Sequence, residues 1–293
     1  MFYEAHSHDL RIFASPDWLN ITCANWDVLQ VNIEQEQYFF VYQIENRLGS
    51  QWLRNPILSP YTLVQSSHSN QTHILAAIET FIKTVPHALV DIDLDYKFNF
   101  ASTSLLQQAH TNVLQLAASE EQLYGNIHDS LQRQIKKAQK KITIQAADDI
   151  DSAYDLLALS YTQKGKDYPY DKEKIKELYN YCQQNDFGTI LIAYDGTTAV
   201  GAAFFVWDKL SAYYLGGGRK EGYSEVSTAL LWHGIIHAKK LEIPLFDFEG
   251  SSIASIDKFF KKFGAEQRTY FKLSSASTVA KVAQTVNKFF RKQ

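Results

Sequence analysis

Apolar residues along this chain recur with two periods, near 2 and near 3.6 residues, and the switches between them mark out its elements. "DVLQVNI" (27–33) and "QYFFVYQI" (37–44) alternate or run apolar as strands do, and "IENRLGS" supplies a turn. "HILAAIETFIKTV" spaces Leu75, Ile78, Phe81 and Ile82 for one helix face. "ALVDIDLDYKFNF" is a strand with Val90, Ile92 and Leu94 on one side and Asp91, Asp93 and Asp95 on the other. "TNVLQL" is a further short strand. Ser119 and Gln122 suit a capping box. Beyond Gly125, Ile127, Leu131 and Ile135 recur every four residues to Ala138, on a helix that also carries Arg133, Lys136 and Lys137 and leads to Lys140 and Lys141.

The second half parses cleanly. Helix "DIDSAYDLLALSYTQ", loop "KGKDYPY" and helix "DKEKIKELYNYCQQN" precede strand "TILIAYD", a turn at Asp195-Gly196 and strand "AVGAAFFVW". Strand "LSAYYLGGG", helix "SEVSTALLWHGIIHAKK", strand "PLFDFEG", helix "SIDKFFKKF" and strand "RTYFKL" follow. The order α-α-β-β-β-α-β-α-β combines an antiparallel meander with a βαβ crossover, which predicts a mixed, mostly antiparallel α/β (α+β) sheet flanked by helices. The first half repeats these ingredients less clearly. The expected division is a domain over 1–140 and a second over 141–276, with a C-terminal helix at 277–293 packing back on the first.

Composition narrows the function classes. The chain has 293 residues, of which 45% are hydrophobic, 21% charged and 14% aromatic, within the globular range. Net charge is −3 and the pI about 6.3, so no global basic field attracts DNA. Cys23 and Cys182 are the only cysteines and form neither a disulfide framework nor a zinc spacing. The start, "MFYEAHSHDL", lacks the basic and apolar regions of a signal peptide, and the longest apolar run, 199–207, is too short to span a membrane. A soluble, cytoplasmic protein is expected.

Several stretches resemble the FemABX branch of the GNAT acyltransferases. "SLQRQIKKAQKKITIQ" is similar to that family's basic helix leading into its second domain. "AYYLGGG" with "LLWHGIIHAKKLEIPLFDFEGS" resembles its strand, long helix and Asp-Phe-x-Gly turn, and "KFFKKFGAE" its closing Phe-Lys-x-x-Phe-Gly element. The similarity covers roughly residues 120–273. It implies tandem GNAT-like domains that pass an acyl or aminoacyl group from an activated ester or thioester to an amine, in cell-envelope work, without a metal. The donor would be an acyl-CoA, an acyl carrier or an aminoacyl-tRNA, with no tightly bound cofactor. The acceptor would be a small molecule or a lipid-linked precursor, with peripheral membrane contact. One departure weighs against tRNA: aligned on Phe263-Gly264, the family lysine position holds Phe260, and Lys261 lies one residue on, about 100° around a helix.

Acyl transfer to an amine needs a proton acceptor, a donor of hydrogen bonds to the carbonyl oxygen, and a grip on both substrates. Asp247 and Glu249, alternating along a strand, would share one face and serve as acid–base groups, unless Asp247 is a buried structural acid. Lys261 completes the catalytic set. Ser251 begins a helix whose N–H end suits an anion, while Ser252 reads as a plain cap. Within "GGGRKEGYS", Gly217, Gly218, Arg219, Gly222 and Ser224 approximate the GNAT pyrophosphate loop, or else make an ordinary glycine-rich turn. Arg133, Lys137, Tyr161, Lys164, Tyr168 and Tyr214 are the acceptor-side candidates, against the alternative of a solvated helix face and a decorated loop. His233 and His237 have metal-compatible spacing, but packing is the better reading. The acids at 91, 93 and 95 suit a solvated sheet face better than a cation site. The rival function is a non-catalytic protein of the same fold that binds a glycan, a lipid-linked precursor or a protein.

Overall fold

The computed structural model describes residues 11–47, 49–65, 71–94, 105–148, 150–249 and 253–276. The chain divides into two compact units, residues 111–268 and, around them, 1–110 with 269–293. The architecture is mixed α/β, with mostly antiparallel strand pairing and helices α1–α8 among the described residues.

The first unit opens with α1 (Pro16–Thr22), started by Pro16 at its first turn and by Ser15, whose hydroxyl accepts from the Trp18 amide. Strands β1 (Trp26–Ile33), β2 (Glu36–Arg47), β3 (Ser50–Arg54), β4 (Leu63–Gln65) and β5 (Leu89–Leu94) surround α2 (Gln71–Thr84). β3 and β5 pair in parallel; β1 with β2, β2 with β3 and β2 with β4 pair antiparallel. The face of α2 that enters the core is Ile74, Ala77, Ile78 and Phe81 with Ile82 beside it, as expected except that Ile74 takes the place of the exposed Leu75. Val90, Ile92 and Leu94 are buried as their alternation requires. Their acidic neighbours are paired: Asp91, with a side chain still 43% exposed, meets Arg54 at 3.6 Å, and the more buried Asp93 meets Lys272 at 2.8 Å. Asp95 lies outside the described residues.

The chain passes through β6 (Leu106–Gln115) to α3 (Glu120–Gly125), α4 (Asp129–Ala138), β7 (Ile142–Ala146), α5 (Ile150–Thr162) and α6 (Lys172–Asn185). Then come β8 (Gly188–Asp195), β9 (Thr198–Trp207), β10 (Ala212–Arg219), α7 (Val226–Lys240), β11 (Leu245–Asp247), α8 (Ala254–Lys261) and β12 (Glu266–Ala276). Ser119 and Gln122 form the expected capping box, at 3.2 and 3.0 Å. Strand order in the second unit is β6-β11-β10-β9-β8-β7, with β10 and β11 parallel and the remaining pairs antiparallel. Edge strand β7 was not foreseen. α4 buries Leu131, Ile135 and Ala138 in the same core as Leu230, Leu231 and Ile235 of α7, so the basic helix belongs to this unit and not to residues 1–110. β12 enters the first unit at Thr269 and pairs with β5 over Phe271–Ala276 (Phe271↔Leu94, Leu273↔Ile92). The expected helix at 277–293 lies outside the described residues. No helix among those described is long and apolar enough to cross a membrane.

Candidate active site

The site grows from the end of β11. Its last residue, Asp247, is fully buried, where Thr111 Oγ1 donates to Asp247 Oδ1 at 2.6 Å and the Glu249 amide donates to the same oxygen at 2.9 Å. The strand stops there. Phe248 donates its amide to the Asn112 carbonyl at 2.9 Å, and Glu249 adopts a left-handed φ of 56°, an arrangement that costs a non-glycine residue free energy. The simple alternation expected for Asp247 and Glu249 is therefore broken: Asp247 turns inward and holds the backbone that presents Glu249.

Glu249 Oε1 is buried and accepts no hydrogen bond among the described residues. Burial first, and then the nearby charge of Asp247, push its carboxyl well above the ordinary range. Tyrosines gather beside it. Burial and then the Glu249 carboxylate raise Tyr214; burial, Tyr161 and then Glu249 raise Tyr170. Tyr168 is the hub, its ring centroid 5.4 Å from Tyr154, 5.4 Å from Tyr161 and 5.2 Å from Tyr170, all near perpendicular. Burial raises Tyr168 as well, followed by the influence of Tyr170, Tyr161, Tyr154 and Tyr214. The phenols of Tyr168, Tyr170 and Tyr214 thus stay protonated and can donate hydrogen bonds.

Local structure explains this convergence. Tyr154 and Tyr161 project from α5, and Tyr154 Oη donates to the Tyr170 carbonyl at 2.7 Å, tying the 163–171 loop to the helix. A β-bulge interrupts β10 between Tyr214 and Gly216, which re-aims Tyr214. Gly216, Gly217 and Gly218 beyond it belong to β10, as the strand "LSAYYLGGG" predicts. A Cβ on Gly217 would stand 2.7 Å from the Ala202 carbonyl oxygen and 2.9 Å from the Tyr214 hydroxyl. One on Gly218 would meet the Leu156 carbonyl oxygen of α5 at 2.1 Å. Both glycines admit close neighbours.

Other candidates fall elsewhere. Arg219 ends β10, its carbonyl accepting from Gln163 at 2.9 Å. Gly222 turns the chain with φ 85°, and Ser224 Oγ donates to Glu225 Oε2 at 3.3 Å. Glu225, at the start of α7, has a fully buried side chain that meets Lys137 at 3.1 Å and Lys141 at 3.6 Å. Burial alone would raise Glu225, but its own backbone N–H and the two lysines outweigh that and hold it below the usual range. Lys137 is therefore engaged in an ion pair, and Arg133 and Lys164 are exposed. Lys261 pairs with Asp257 at 2.9 Å on α8. Phe260 is buried, its ring 4.9 Å from Phe248 and 6.1 Å from Tyr214. Ser251 and Ser252 lie outside the described residues. His237 packs on Trp207 at 5.2 Å and His233 bonds the Ala229 carbonyl at 3.0 Å. Among the described residues no three His, Cys, Asp or Glu side chains gather as a metal ion requires. Sequence reasoning did not find Thr111, Tyr154 or Glu225. Only Glu225 left a signal, an acid at a helix start, where the dipole favours it.

Residues 126–262 match the family model described as "Acetyltransferase (GNAT) domain". This segment is similar to a GNAT domain. The family is one of acyltransferases, and Glu249, the tyrosines and Glu225 all lie inside its segment. No curated protein sequence matches the chain. Among solved structures, FemX superposes with a TM-score of 0.67 at 10% identity, covering 92% of this chain and 96% of that one. The C-terminal domain (DUF2156) of a putative lysylphosphatidylglycerol synthetase from Agrobacterium fabrum gives 0.60 at 11% identity, covering 97% and 93%. L-PGS from Bacillus licheniformis gives 0.51 at 7% identity, covering 86% and 85%. At such identities the likeness is one of fold, and it extends over nearly the whole chain, beyond the segment 126–262.

Proposed function

We propose that this protein moves an activated acyl or aminoacyl group to an acceptor amine, with Glu249 as the proton acceptor. The observation that carries the reading is the Glu249 Oε1 atom, buried without a hydrogen bond beside Tyr170 and Tyr214 in the segment similar to a GNAT domain. In this reading Glu249 takes a proton from the bound ammonium. The freed nitrogen lone pair attacks the acyl carbon, forming the C–N bond, and the neutral phenol of Tyr214 donates to the oxygen that gains charge. Collapse of the adduct breaks the bond to the ester oxygen or thioester sulfur, and the leaving group departs with the second amine proton. A raised carboxyl suits this work, because a carboxylate made more basic by burial takes the ammonium proton more readily.

The donor end is informative in its own way. Glu225 sets a buried carboxylate at the N-terminus of α7, the kind of helix end that otherwise holds a diphosphate. A CoA diphosphate there would have to displace the Glu225 carboxylate from Lys137 and Lys141, which favours an acyl carrier or an aminoacyl ester as donor. The same feature, with Lys261 committed to Asp257, supports the second reading, a non-catalytic binder.

Steady-state transfer from a panel of acyl-CoA, acyl-carrier and aminoacyl-ester donors decides between them. Glu249→Gln is expected to lower kcat by roughly 10²–10⁴-fold, the usual weight of general acid–base catalysis, while the fold persists. Full turnover by that variant would remove Glu249 from the mechanism. Absence of transfer by the wild type from every donor, with stabilisation by a glycan or peptide alone, would favour the binder.

A further inference from the structure

The sheet of residues 111–268 has a second face, away from the tyrosines. Along β9, Phe205 lies against Gly234 of α7, where an added Cβ would stand 2.4 Å from its ring, while its neighbour Phe204 meets Tyr179 of α6 at 6.3 Å. Gly218, paired with Ala202, turns towards α5 on the face of Phe204. So α7 covers one face, and α5 with its tyrosines covers the other. On the α7 side, beside edge strand β7, lies a cavity of about 420 Å³. Ile144 and Ala146 of β7, Thr189 and Leu191 of β8, and Trp232 and Ile236 of α7 line it. β7 stands four strand spacings from β11, roughly 19 Å, so this is not the Glu249 site.

Around the apolar lining stand groups that the fold leaves unused. The hydroxyl of the buried Thr189 and the side-chain amides of Gln139 and Gln145 make no hydrogen bond among the described residues. Lys240 and Glu120, both exposed at the rim, pair with no described residue and not with each other. His233 Nδ1 donates to the Ala229 carbonyl at 3.0 Å, which leaves Nε2 for a ligand. Burial lowers His237, with Asp186 opposing and Lys240 adding to the effect, so its ring stays neutral. The cavity thus offers one fixed positive and one fixed negative charge. An anion alone would leave Glu120 facing it, and an amine alone would leave Lys240. A sugar would use neither charge and would leave the apolar lining uncovered. A molecule with both charges and an apolar side chain uses all of these groups.

We propose that this cavity binds a zwitterion with an apolar side chain, either a free amino acid or a short peptide with unblocked ends. Its volume lies within the roughly 300–1,000 Å³ of small-molecule sites. The site stands apart from the transferase reading, which uses none of its residues.

The test is calorimetric titration of the full chain with the apolar L-amino acids and their homodipeptides at constant ionic strength. Saturable binding is expected for at least one, and the tighter of amino acid and dipeptide identifies the source. The N-acetylated and the C-amidated forms of that ligand keep its side chain and one charge each. They should bind about tenfold more weakly, the weight of a hydrogen bond to a charged group. Glu120→Gln and Lys240→Gln, at exposed positions, should each weaken binding by a similar factor. Ala146→Trp, which fills the cavity from an exposed position, should abolish it. Glu249→Gln should bind as the wild type does. Loss of binding in Glu249→Gln, or indifference to Ala146→Trp, would move the ligand to another site and overturn the proposal. Equal affinity for the blocked forms would overturn it too, as would the absence of binding by every amino acid and dipeptide.

Discussion

Glu249 carries three unfavourable features at once: a left-handed backbone, a buried carboxyl and a neighbouring acid. Such strain persists only where the surroundings hold it, and here the Thr111–Asp247–Glu249 chain of hydrogen bonds does so. The carboxyl has a consequence for stability. Because its folded pKa is raised, the protonated form favours the fold; that contribution is complete below the unfolded value of about 4.3 and is lost as pH rises through the folded one. Glu249→Gln cannot ionise, so its melting temperature should exceed the wild type's above neutrality, with the difference shrinking towards pH 4. Parallel melting curves across that range would show that Glu249 ionises without penalty. The pairing of Asp247 with Glu249 was legible in "LFDFEG", but their division of labour was not. Alternation presumes a strand, and the strand stops at Asp247 because its carboxylate accepts from Thr111, 136 residues earlier in the chain.

At the scale of elements, the contact that positions the tyrosines is α5 against β10. Gly218 makes it: an added Cβ would stand 2.1 Å from the Leu156 carbonyl oxygen and 3.1 Å from the Ser160 amide nitrogen, both backbone atoms that cannot rotate away. Gly218→Ala should therefore push α5 outward, with a loss of about 1–3 kcal/mol by analogy with other overpacked cores. Since α5 carries Tyr154 and Tyr161, transfer should fall with stability, and urea titration beside a transfer assay reads both. A neutral Gly218→Ala would mean that α5 does not depend on this approach. The triple glycine was legible as the end of strand "LSAYYLGGG", but its reason was not. What requires it is a helix more than fifty residues upstream that leaves no local trace. The helices themselves were legible, because each carries its own apolar stripe or cap. Even so, α2 shows that a stripe can be misread by one residue when Ile74 and Leu75 are both apolar.

For the whole molecule, the least legible feature is the return of the chain. "RTYFKL" looks like the last strand of the segment before it, and its alternation is silent about its partner. From Phe271 onward β12 instead joins β5, placing Phe271 opposite Leu94 and Leu273 opposite Ile92, and both β12 side chains are fully buried in the core built on β2, α2 and β5. A unit assembled from both ends of a chain, with another unit of 111–268 inserted between them, depends on that last strand to complete its core. Phe271→Ala should then cost about 3–5 kcal/mol, as truncation of a buried aromatic does. The loss should appear as faster amide exchange in β5, whose residues pair with β12, and in α2, whose Phe81 and Ile78 share its core. Were exchange at 90–94 unchanged in that variant, residues 269–276 would be an appendage to the first unit and not part of it.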